Sequence, residues 1–267
     1  MKGLSYAFSD LSAGYDGTPV LRGLRGIIRP GLLTALIGPN GSGKSTFLRA
    51  LAGLLPFRGT LRLGERDLSR VPRGELGRLV GVVPQQVRMA SPFTVHEAVS
   101  LGRLPHQGLT ARRSEEDGER VLNAVARSDV EHLLLRPVTR LSGGETQRVM
   151  LATVLAQDPP VMLLDEPASA QDPLRTARVF SLLRDLAAEG RTVIAALHDV
   201  NLAVTFADAF LAMKDGRIAF DAPIARLDGE ILQDIYGAPF EAYLSERENK
   251  SERGNKEGGN KRWHVRV

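Results

Sequence analysis

A glycine-rich segment, IGPNGSGKST, spans residues 37–46 and carries a lysine and two hydroxyl residues directly after its glycines. It fits the pattern G-x-x-x-x-G-K-[ST] at Gly38, Gly43, Lys44 and Ser45. Backbone N–H groups at a helix N-terminus bind phosphate oxygens, and glycine leaves them uncovered. Lysine adds positive charge near β- and γ-phosphates, and the Ser45 hydroxyl can bind Mg²⁺. The spacing therefore favours a phosphate-binding loop over a glycine-rich turn without a ligand.

Four polar side chains follow three separate apolar runs. Asp165 and Glu166 come at the end of VMLLDE, Gln85 ends LVGVVPQ, and His198 follows TVIAAL. If these runs are parallel strands, their carboxyl ends meet at one edge of the sheet, where open α/β sheets bind ligands. Asp165 could then hold Mg²⁺ and Glu166 could orient or deprotonate a water. We expect all four side chains to converge on the crevice of the glycine loop.

A second glycine-rich segment, LSGGETQR, spans residues 141–148 and contains two adjacent glycines. Ser142 and Glu145 fit a helix capping box, S-x-x-E. Gly143 and Gly144 would each cost roughly 1 kcal/mol in a helix relative to alanine, so capping alone does not explain them. They expose backbone N–H groups at a helix start, which predicts a second phosphate contact.

The elements that must position these residues alternate between strand and helix. Near-continuous apolar runs such as LLTALIG and PVMLLDEP are typical of parallel strands covered on both faces. Helical patterns such as TFLRALAGLL and LRTARVFSLLRDLAAEG lie between them. Asp215-Gly216 between two apolar runs predicts a β-hairpin, and LSYAFSDLSAGY near the N-terminus predicts an edge or antiparallel strand. The fold class is therefore α/β.

Residues 91–158 carry helical patterns without a convincing strand, and we interpret them as a helical subdomain inserted into the core. The polar segment 245–261 is low in complexity and predicts a loop. The last residues, RWHVRV, alternate in polarity and are expected to form a short strand that pairs with FEAYL. We divide the chain into a domain at 1–244 and a terminal loop and strand at 245–267.

Composition bounds the class of protein. The 267 residues are 43% hydrophobic and 25% charged, typical of a globular chain, and none is cysteine, which excludes disulfides and cysteine-type zinc sites. No apolar run reaches the roughly 20 residues of a membrane span, and the first residues lack a signal-peptide core. The net charge is +4, half of it from residues 245–262, so we predict no nucleic-acid partner.

The chain resembles the ATP-binding subunit of ABC transporters over about residues 4–237. The resemblance lies in five elements and their order: the glycine loop, Gln85, the LSGGE segment, LLDEP and His198. Tyr15 matches the aromatic residue that stacks on adenine in that family. Ser169 to Asp172 match its D-loop, although Gln171 stands where the family more often has leucine, and EPAS replaces the commoner EPTS. These differences lie at a loop that faces the dimer partner.

The resemblance implies a P-loop NTPase core with a parallel sheet, N-terminal antiparallel strands and the inserted helical subdomain. It implies that Mg²⁺ is organised by Ser45, Gln85 and Asp165, that Glu166 is the general base, and that Gln85, Lys44 and His198 assist hydrolysis. Two copies would pack head to tail, so that Ser142, Gly143, Gly144 and Glu145 of one copy contact the ATP of the other. The implied ATP-binding residues are Tyr15, Gly38, Pro39, Asn40, Gly41, Ser42, Gly43, Lys44, Ser45 and Thr46.

The stretch after Gln85, through FTVHEAVSLGRLPH, is similar to ATPase subunits of importers for iron-siderophore, haem and cobalamin. In that group it is where a membrane permease docks, so we expect permease subunits as partners, a substrate-binding protein as an indirect partner, and a peripheral position on the cytoplasmic face of the inner membrane. Alternatives are an importer of zinc or manganese and a non-transport ABC ATPase acting on nucleic acid. Neither a long coiled coil nor zinc cysteines, expected for the latter, is present.

Overall fold

The computed structural model describes residues 3–85, 92–107, 114–169, 171–243 and 262–265. The strands are β1 (Tyr6–Tyr15), β2 (Thr18–Ile28), β3 (Leu33–Ile37), β4 (Phe57–Leu63), β5 (Arg66–Asp67), β6 (Val80–Val83), β7 (Val161–Asp165), β8 (Thr192–Ala196), β9 (Ala209–Lys214), β10 (Arg217–Pro223), β11 (Phe240–Tyr243) and β12 (Arg262–Val265). The α-helices are α1 (Lys44–Leu51), α2 (Arg73–Leu79), α3 (Val95–Ser100), α4 (Glu115–Arg127), α5 (Gly143–Gln157), α6 (Pro173–Ala188), α7 (Val200–Phe206) and α8 (Gly229–Tyr236).

The central sheet has six strands in the order β10-β9-β3-β8-β7-β6. The five strands from β9 to β6 pair in parallel, and β10 pairs antiparallel with β9. Every residue of β3, β7 and β8 is buried, because helices and a second sheet cover both faces. The parallel sheet predicted from the continuous apolar runs is confirmed, and with it the α/β class.

A second, antiparallel sheet has the order β2-β1-β4-β5. Its apolar face packs with α1 against the central sheet, where Phe8 meets Phe47 edge to face with ring centroids 5.3 Å apart. The buried Tyr6 hydroxyl donates to the carbonyl of Leu51 at the end of α1 (2.8 Å). The predicted antiparallel pairing is confirmed, but β1 lies inside this sheet rather than at its edge.

The described residues between 92 and 158 hold helices and no extended strand. Helices α3, α4 and α5 share a hydrophobic cluster of their own, which includes Val95, Val121 and Val149. Helix α3 gives way after Ser100 to a 3₁₀ turn over residues 101–106 that contains Pro105. An inserted helical unit is therefore present, while its limits at 91 and 158 stay a prediction.

Strand β12 pairs antiparallel with β11, as predicted for these two segments. Trp263 is 8% exposed and joins the main hydrophobic core. Its backbone N–H donates to the Asn201 side-chain oxygen (2.7 Å), and the Asn201 amide donates to its carbonyl (3.1 Å). The polar segment 245–261 lies outside the described residues. None of the described helices combines the length and apolar character that crossing a membrane requires.

Candidate nucleotide-binding site

The loop between β3 and α1 has a backbone that requires glycine. Gly38, Gly41 and Gly43 have φ values of 145°, 78° and 103°, which side chains disfavour. A Cβ on Gly38 would lie 2.1 Å from the Met213 carbonyl oxygen. Helix α1 begins directly after Gly43 and has no side-chain cap, so its first N–H groups are available to an anion. The loop has the features of a phosphate cradle.

The hairpin predicted at Asp215-Gly216 supports this loop from the neighbouring strands. Both residues have positive φ, 50° and 73°, as a tight turn of this type needs. The Gly216 N–H donates to the carbonyl of Ser42 inside the loop (3.1 Å), while its own carbonyl accepts from Arg22 N–H (2.9 Å). The hairpin is confirmed, and it fixes the shape of the loop.

Lys44 folds back over the loop and is 7% exposed. Its Nζ donates to the carbonyls of Gly38 (2.7 Å) and Pro39 (3.1 Å). Burial lowers the pKa of Lys44, while the nearby carboxylates of Glu166 and Asp165 act in the opposite direction. The lysine thus places a desolvated positive charge at the centre of the cradle, where its attraction for phosphate is strengthened by the low local dielectric.

Asp165 ends β7 beside the start of α1. Burial raises the pKa of its carboxyl group, and a hydrogen bond from Ser45 partly offsets that rise. The pair offers one carboxylate and one hydroxyl, which are the hard oxygen donors that Mg²⁺ binds together with phosphates and water. Within the described residues, no three histidine or acidic side chains cluster into a metal site by themselves. The donor set fits a magnesium ion whose remaining ligands come from a nucleotide and water.

Glu166 follows Asp165 in a left-handed backbone conformation, with φ of 53°. Such a conformation costs roughly 1–2 kcal/mol for a residue with a side chain, and it turns the carboxylate toward β8. The Glu166 N–H donates to the Ala196 carbonyl at the end of β8 (3.1 Å), and the carboxylate contacts His198 Nε2. The structure brings these two predicted residues together at the carboxyl edge of the sheet.

Two other predicted residues lie at the surface. Gln85 is exposed, two residues beyond the end of β6. Tyr15 ends β1, is 39% exposed, and accepts a hydrogen bond from Arg49 of α1 (2.8 Å). Its ring therefore stands beside the helix that starts at the phosphate cradle.

The LSGGE segment begins α5 and forms the predicted capping box. The Ser142 N–H donates to the Glu145 carboxylate (2.7 Å), and the Glu145 N–H donates to the Ser142 hydroxyl (3.3 Å). The Ser142 backbone N–H is the main cause of a lowered Glu145 pKa. Ser142 and Gly143 are exposed, and Gly144 is half-buried. Glu145 also pairs with Arg136 (3.2 Å), and none of these contacts reaches the chain's own glycine loop in the part of the chain that the structure describes.

The loop after Glu166 leads into α6. Asp172 accepts from the Arg175 N–H (2.9 Å) and caps α6, with Pro173 in the first turn. Ser169 is exposed and Gln171 is half-buried. Ala170 of the predicted D-loop lies outside the described residues.

Two contacts to this site were missed from the sequence. The Gly38 N–H donates to the hydroxyl of Tyr236 in α8 (3.1 Å), which holds the first glycine of the cradle. Burial is the main cause of a raised Tyr236 pKa, so the hydroxyl stays protonated. Gln147 of α5 donates to the carbonyl of Glu166. No spacing in the sequence links either residue to the loops it contacts, although Gln147 lies within the LSGGETQR stretch.

Residues 21–169 match the ABC transporter family model. The chain is 41% identical over 239 residues to the hemin import ATP-binding protein HmuV of Streptomyces coelicolor, covering 89% of this chain and 85% of that protein. It is 39% identical to the ferric enterobactin transport ATP-binding protein FepC of Escherichia coli, covering 85% of each. The ATP-binding cassette MJ0796, a dimer in a post-hydrolysis state with ADP and Pi, superposes with a TM-score of 0.74 at 28% identity, covering 82% of this chain and 98% of that one.

The chain therefore belongs to the ABC transporter family, as an ATP-binding subunit of the ATPase type. The predicted fold class and the assignment as an ABC-type ATPase are confirmed.

Proposed function

We propose that this ATPase powers a membrane importer of iron-siderophore, haem or cobalamin. The single observation that carries its chemistry is the Glu166–His198 contact at the sheet edge beside buried Lys44 and Asp165. The import relatives, about 40% identical over most of the chain, favour the transport role and this cargo group.

ATP binds with its triphosphate in the cradle of residues 38–46. Backbone N–H groups at the start of α1 and the Lys44 ammonium hold the phosphate oxygens, and the adenine stacks on Tyr15. Ser45, Asp165 and Gln85 hold Mg²⁺, which when bound neutralises charge on the phosphate oxygens. Tyr236 keeps Gly38 in position, so the cradle is formed before the nucleotide arrives.

Glu166 acts as the general base. A water oxygen attacks the γ-phosphorus, the bond to the β-γ bridging oxygen breaks, and the water's proton moves to the Glu166 carboxylate. ADP leaves with the bridging oxygen, and phosphate is released. His198 orients the Glu166 carboxylate and contacts the γ-phosphate. General-base catalysis is worth roughly 10²–10⁴-fold, and positioning with charge stabilisation supplies most of the rest.

A second copy of the chain completes the site. Ser142, Gly143, Gly144 and Glu145 present an exposed helix start that makes no contact with its own cradle among the described residues. In a head-to-tail homodimer this segment closes over the γ-phosphate of the other copy. The dimeric state of the MJ0796 cassette supports this arrangement.

The surface for the membrane permease lies around residues 92–107. Phe93, Leu101 and Leu104 are 43%, 42% and 56% exposed, which places three large apolar side chains on one short stretch. Exposed apolar side chains that form a contiguous patch mark interaction surfaces, and these three are the side chains of this stretch that we assign to the permease contact. The permease holds the ATPase at the cytoplasmic face of the membrane, and a substrate-binding protein delivers cargo to the permease. Residues 86–91, also in the predicted docking stretch, lie outside the described residues.

The test uses the permease complex in vesicles. Glu166→Gln removes the proton acceptor, so hydrolysis should fall by roughly 10²–10⁴-fold while ATP binding is kept and an ATP-bound dimer accumulates. Adding Ser142→Arg should abolish that dimer and leave ATP binding to the single chain unchanged. Hydrolysis at the parent rate in Glu166→Gln would show that the base is another group.

Cargo is identified by stimulation of hydrolysis with loaded binding proteins. Haem, iron-siderophore and cobalamin proteins are compared with zinc and manganese proteins. Stimulation by either of the last two alone would refute the proposed cargo group.

A further inference from the structure

Arg148 of α5 is a buried cation with unused hydrogen-bond donors. Arg148 is 3% exposed, and its Nε and Nη1 atoms have no hydrogen-bond partner among the residues the structure describes. A guanidinium keeps its charge at any physiological pH. Burying it without a partner costs several kcal/mol, so proteins normally give such a group a carboxylate, a carbonyl or a bound ion.

Arg148 lines a small cavity of about 60 Å³ where three helices meet. Ser128, directly after α4, forms another part of the wall, and α6 closes the third side. The Ser128 residue is 4% exposed, and its hydroxyl also lacks a partner within the described parts of the chain. Two buried residues with unsatisfied polar atoms, from different elements, therefore line the same cavity.

The charge around this cavity is positive. Three more arginines line it: Arg127, Arg175 and Arg178. Each of these three is within ion-pair distance of one carboxylate, namely Glu189 (3.2 Å), Asp172 (3.4 Å) and Asp129 (3.8 Å) respectively. Four guanidinium groups are thus matched by three carboxylates, and the positive charge left over belongs to the most buried of the four.

The pKa of Arg148 is lowered, as expected for a cation whose charge is not balanced by its surroundings. Burial lowers it first and the neighbouring Arg175 lowers it further. Asp129, Glu145 and Asp172 act in the opposite direction, but none of them accepts a hydrogen bond from Arg148 in the described structure. The site stabilises a negative charge placed inside the cavity.

We propose that this cavity binds a small inorganic anion, held between the guanidinium of Arg148 and the hydroxyl of Ser128. A single water needs about 10–15 Å³ of such space, so the cavity has room for chloride or for a tetrahedral oxyanion such as phosphate. Guanidinium and hydroxyl donors suit both, because each binds through N–H and O–H hydrogen bonds made stronger by the anion's charge.

The position of the site gives the anion a structural effect. It joins α4 and α5, which belong to the helical unit, to α6 of the core. Arg148 lies six residues after Ser142 on the same helix, about 9 Å along its axis. A bound anion fastens this helix to the core and so sets where the LSGGE segment stands.

The test measures thermal unfolding of the full chain saturated with a non-hydrolysable ATP analogue, so that every phosphate position of the cradle is already filled. Chloride and phosphate are titrated separately at constant ionic strength, with gluconate as the balancing anion. At least one should raise the melting temperature by several degrees along a saturating curve. Arg148→Gln should remove this rise, and Arg184→Gln, an exposed arginine of α6 outside the cavity, should keep it.

If Arg148→Gln does not fold, Ser128→Ala replaces it and should weaken the apparent affinity about 5-fold, as loss of one hydrogen bond would. Crystals soaked in bromide, or grown with phosphate, should place density between Arg148 and Ser128. Bromide there identifies a halide site, and phosphate alone an oxyanion site. Water in the cavity together with flat titrations, or a rise that survives in Arg148→Gln, would overturn the proposal.

Discussion

The ion pair between Arg103 and Asp117 ties the 3₁₀ turn at 101–106 to the first turn of α4. Arg103 Nε donates to the Asp117 carboxylate (2.7 Å), and its Nη1 donates to the Ala156 carbonyl on α5 (2.7 Å). The two side chains are only 7% and 11% exposed. One buried pair therefore connects three elements of the helical unit.

Asp117→Asn removes the negative charge and leaves the buried Arg103 with only neutral oxygen acceptors, the asparagine amide and the Ala156 carbonyl. Breaking a buried pair in this way costs about 3–5 kcal/mol. We expect a value near 3 kcal/mol, because asparagine can still accept a hydrogen bond and the Ala156 contact remains. The free energy of unfolding is measured by urea denaturation. The control Glu119→Gln changes an exposed acid on the same helix and should stay within about 0.5 kcal/mol of the parent.

The pH dependence gives an independent check. The hydrogen bond from Arg103 is the main reason that the pKa of Asp117 lies below its ordinary value of 3.8. A depressed native pKa means that the unfolded state binds the proton more tightly. The stabilisation is therefore complete above about pH 5 and is lost as the pH falls through 3.8 toward the native pKa. The difference in stability between the parent and Asp117→Asn should shrink over that range.

A double variant decides whether the pair itself is responsible. Arg103→Met with Asp117→Asn removes the buried charge and should recover part of the loss. Asp117→Asn within 0.5 kcal/mol of the parent, or single-variant losses that simply add in the double variant, would refute this reasoning.

Two further predictions concern contacts that the sequence did not reveal. Tyr236→Phe removes the acceptor of the Gly38 N–H. It should weaken ATP binding about 5-fold in calorimetric titration, which corresponds to the loss of roughly 1 kcal/mol. An affinity within twofold of the parent would contradict this prediction. Trp263→Ala empties a core position that is 8% exposed and should lower the free energy of unfolding by about 3 kcal/mol in urea; a loss below 1 kcal/mol would mean that β12 contributes little to the core.

Local patterns in the sequence predicted the parts of the fold that depend on local physics. The continuous apolar runs gave the parallel strands, Asp215-Gly216 gave the hairpin, and the spacing of glycines and Lys44 gave the cradle. Contacts between distant segments were harder to foresee. The hydroxyl of Tyr236 reaches Gly38 across 198 positions of sequence, and only the packing of α8 against the core brings them together.

Two further features of the fold could not be predicted from local patterns, because each depends on packing against a neighbouring element. The antiparallel character of β1 follows from its alternation, but its inner position depends on β4, which was not predicted. In the 3₁₀ turn that follows α3, Gly102 lies so close to α5 that a Cβ would be 2.2 Å from the Thr153 carbonyl oxygen. Hydrophobic periodicity alone does not report such a close approach.

Because β12 is anchored directly on the core, the packing of the core does not depend on the length of the segment that leads to β12. Trp263 and the two hydrogen bonds to Asn201 anchor residues 262–265, whatever the number of residues that leads there. Doubling the length of a flexible connection costs only about 0.6 kcal/mol in closure entropy. The sequence predicts a loop at residues 245–261, so this segment is a suitable place to insert a peptide tag or a fluorescent reporter.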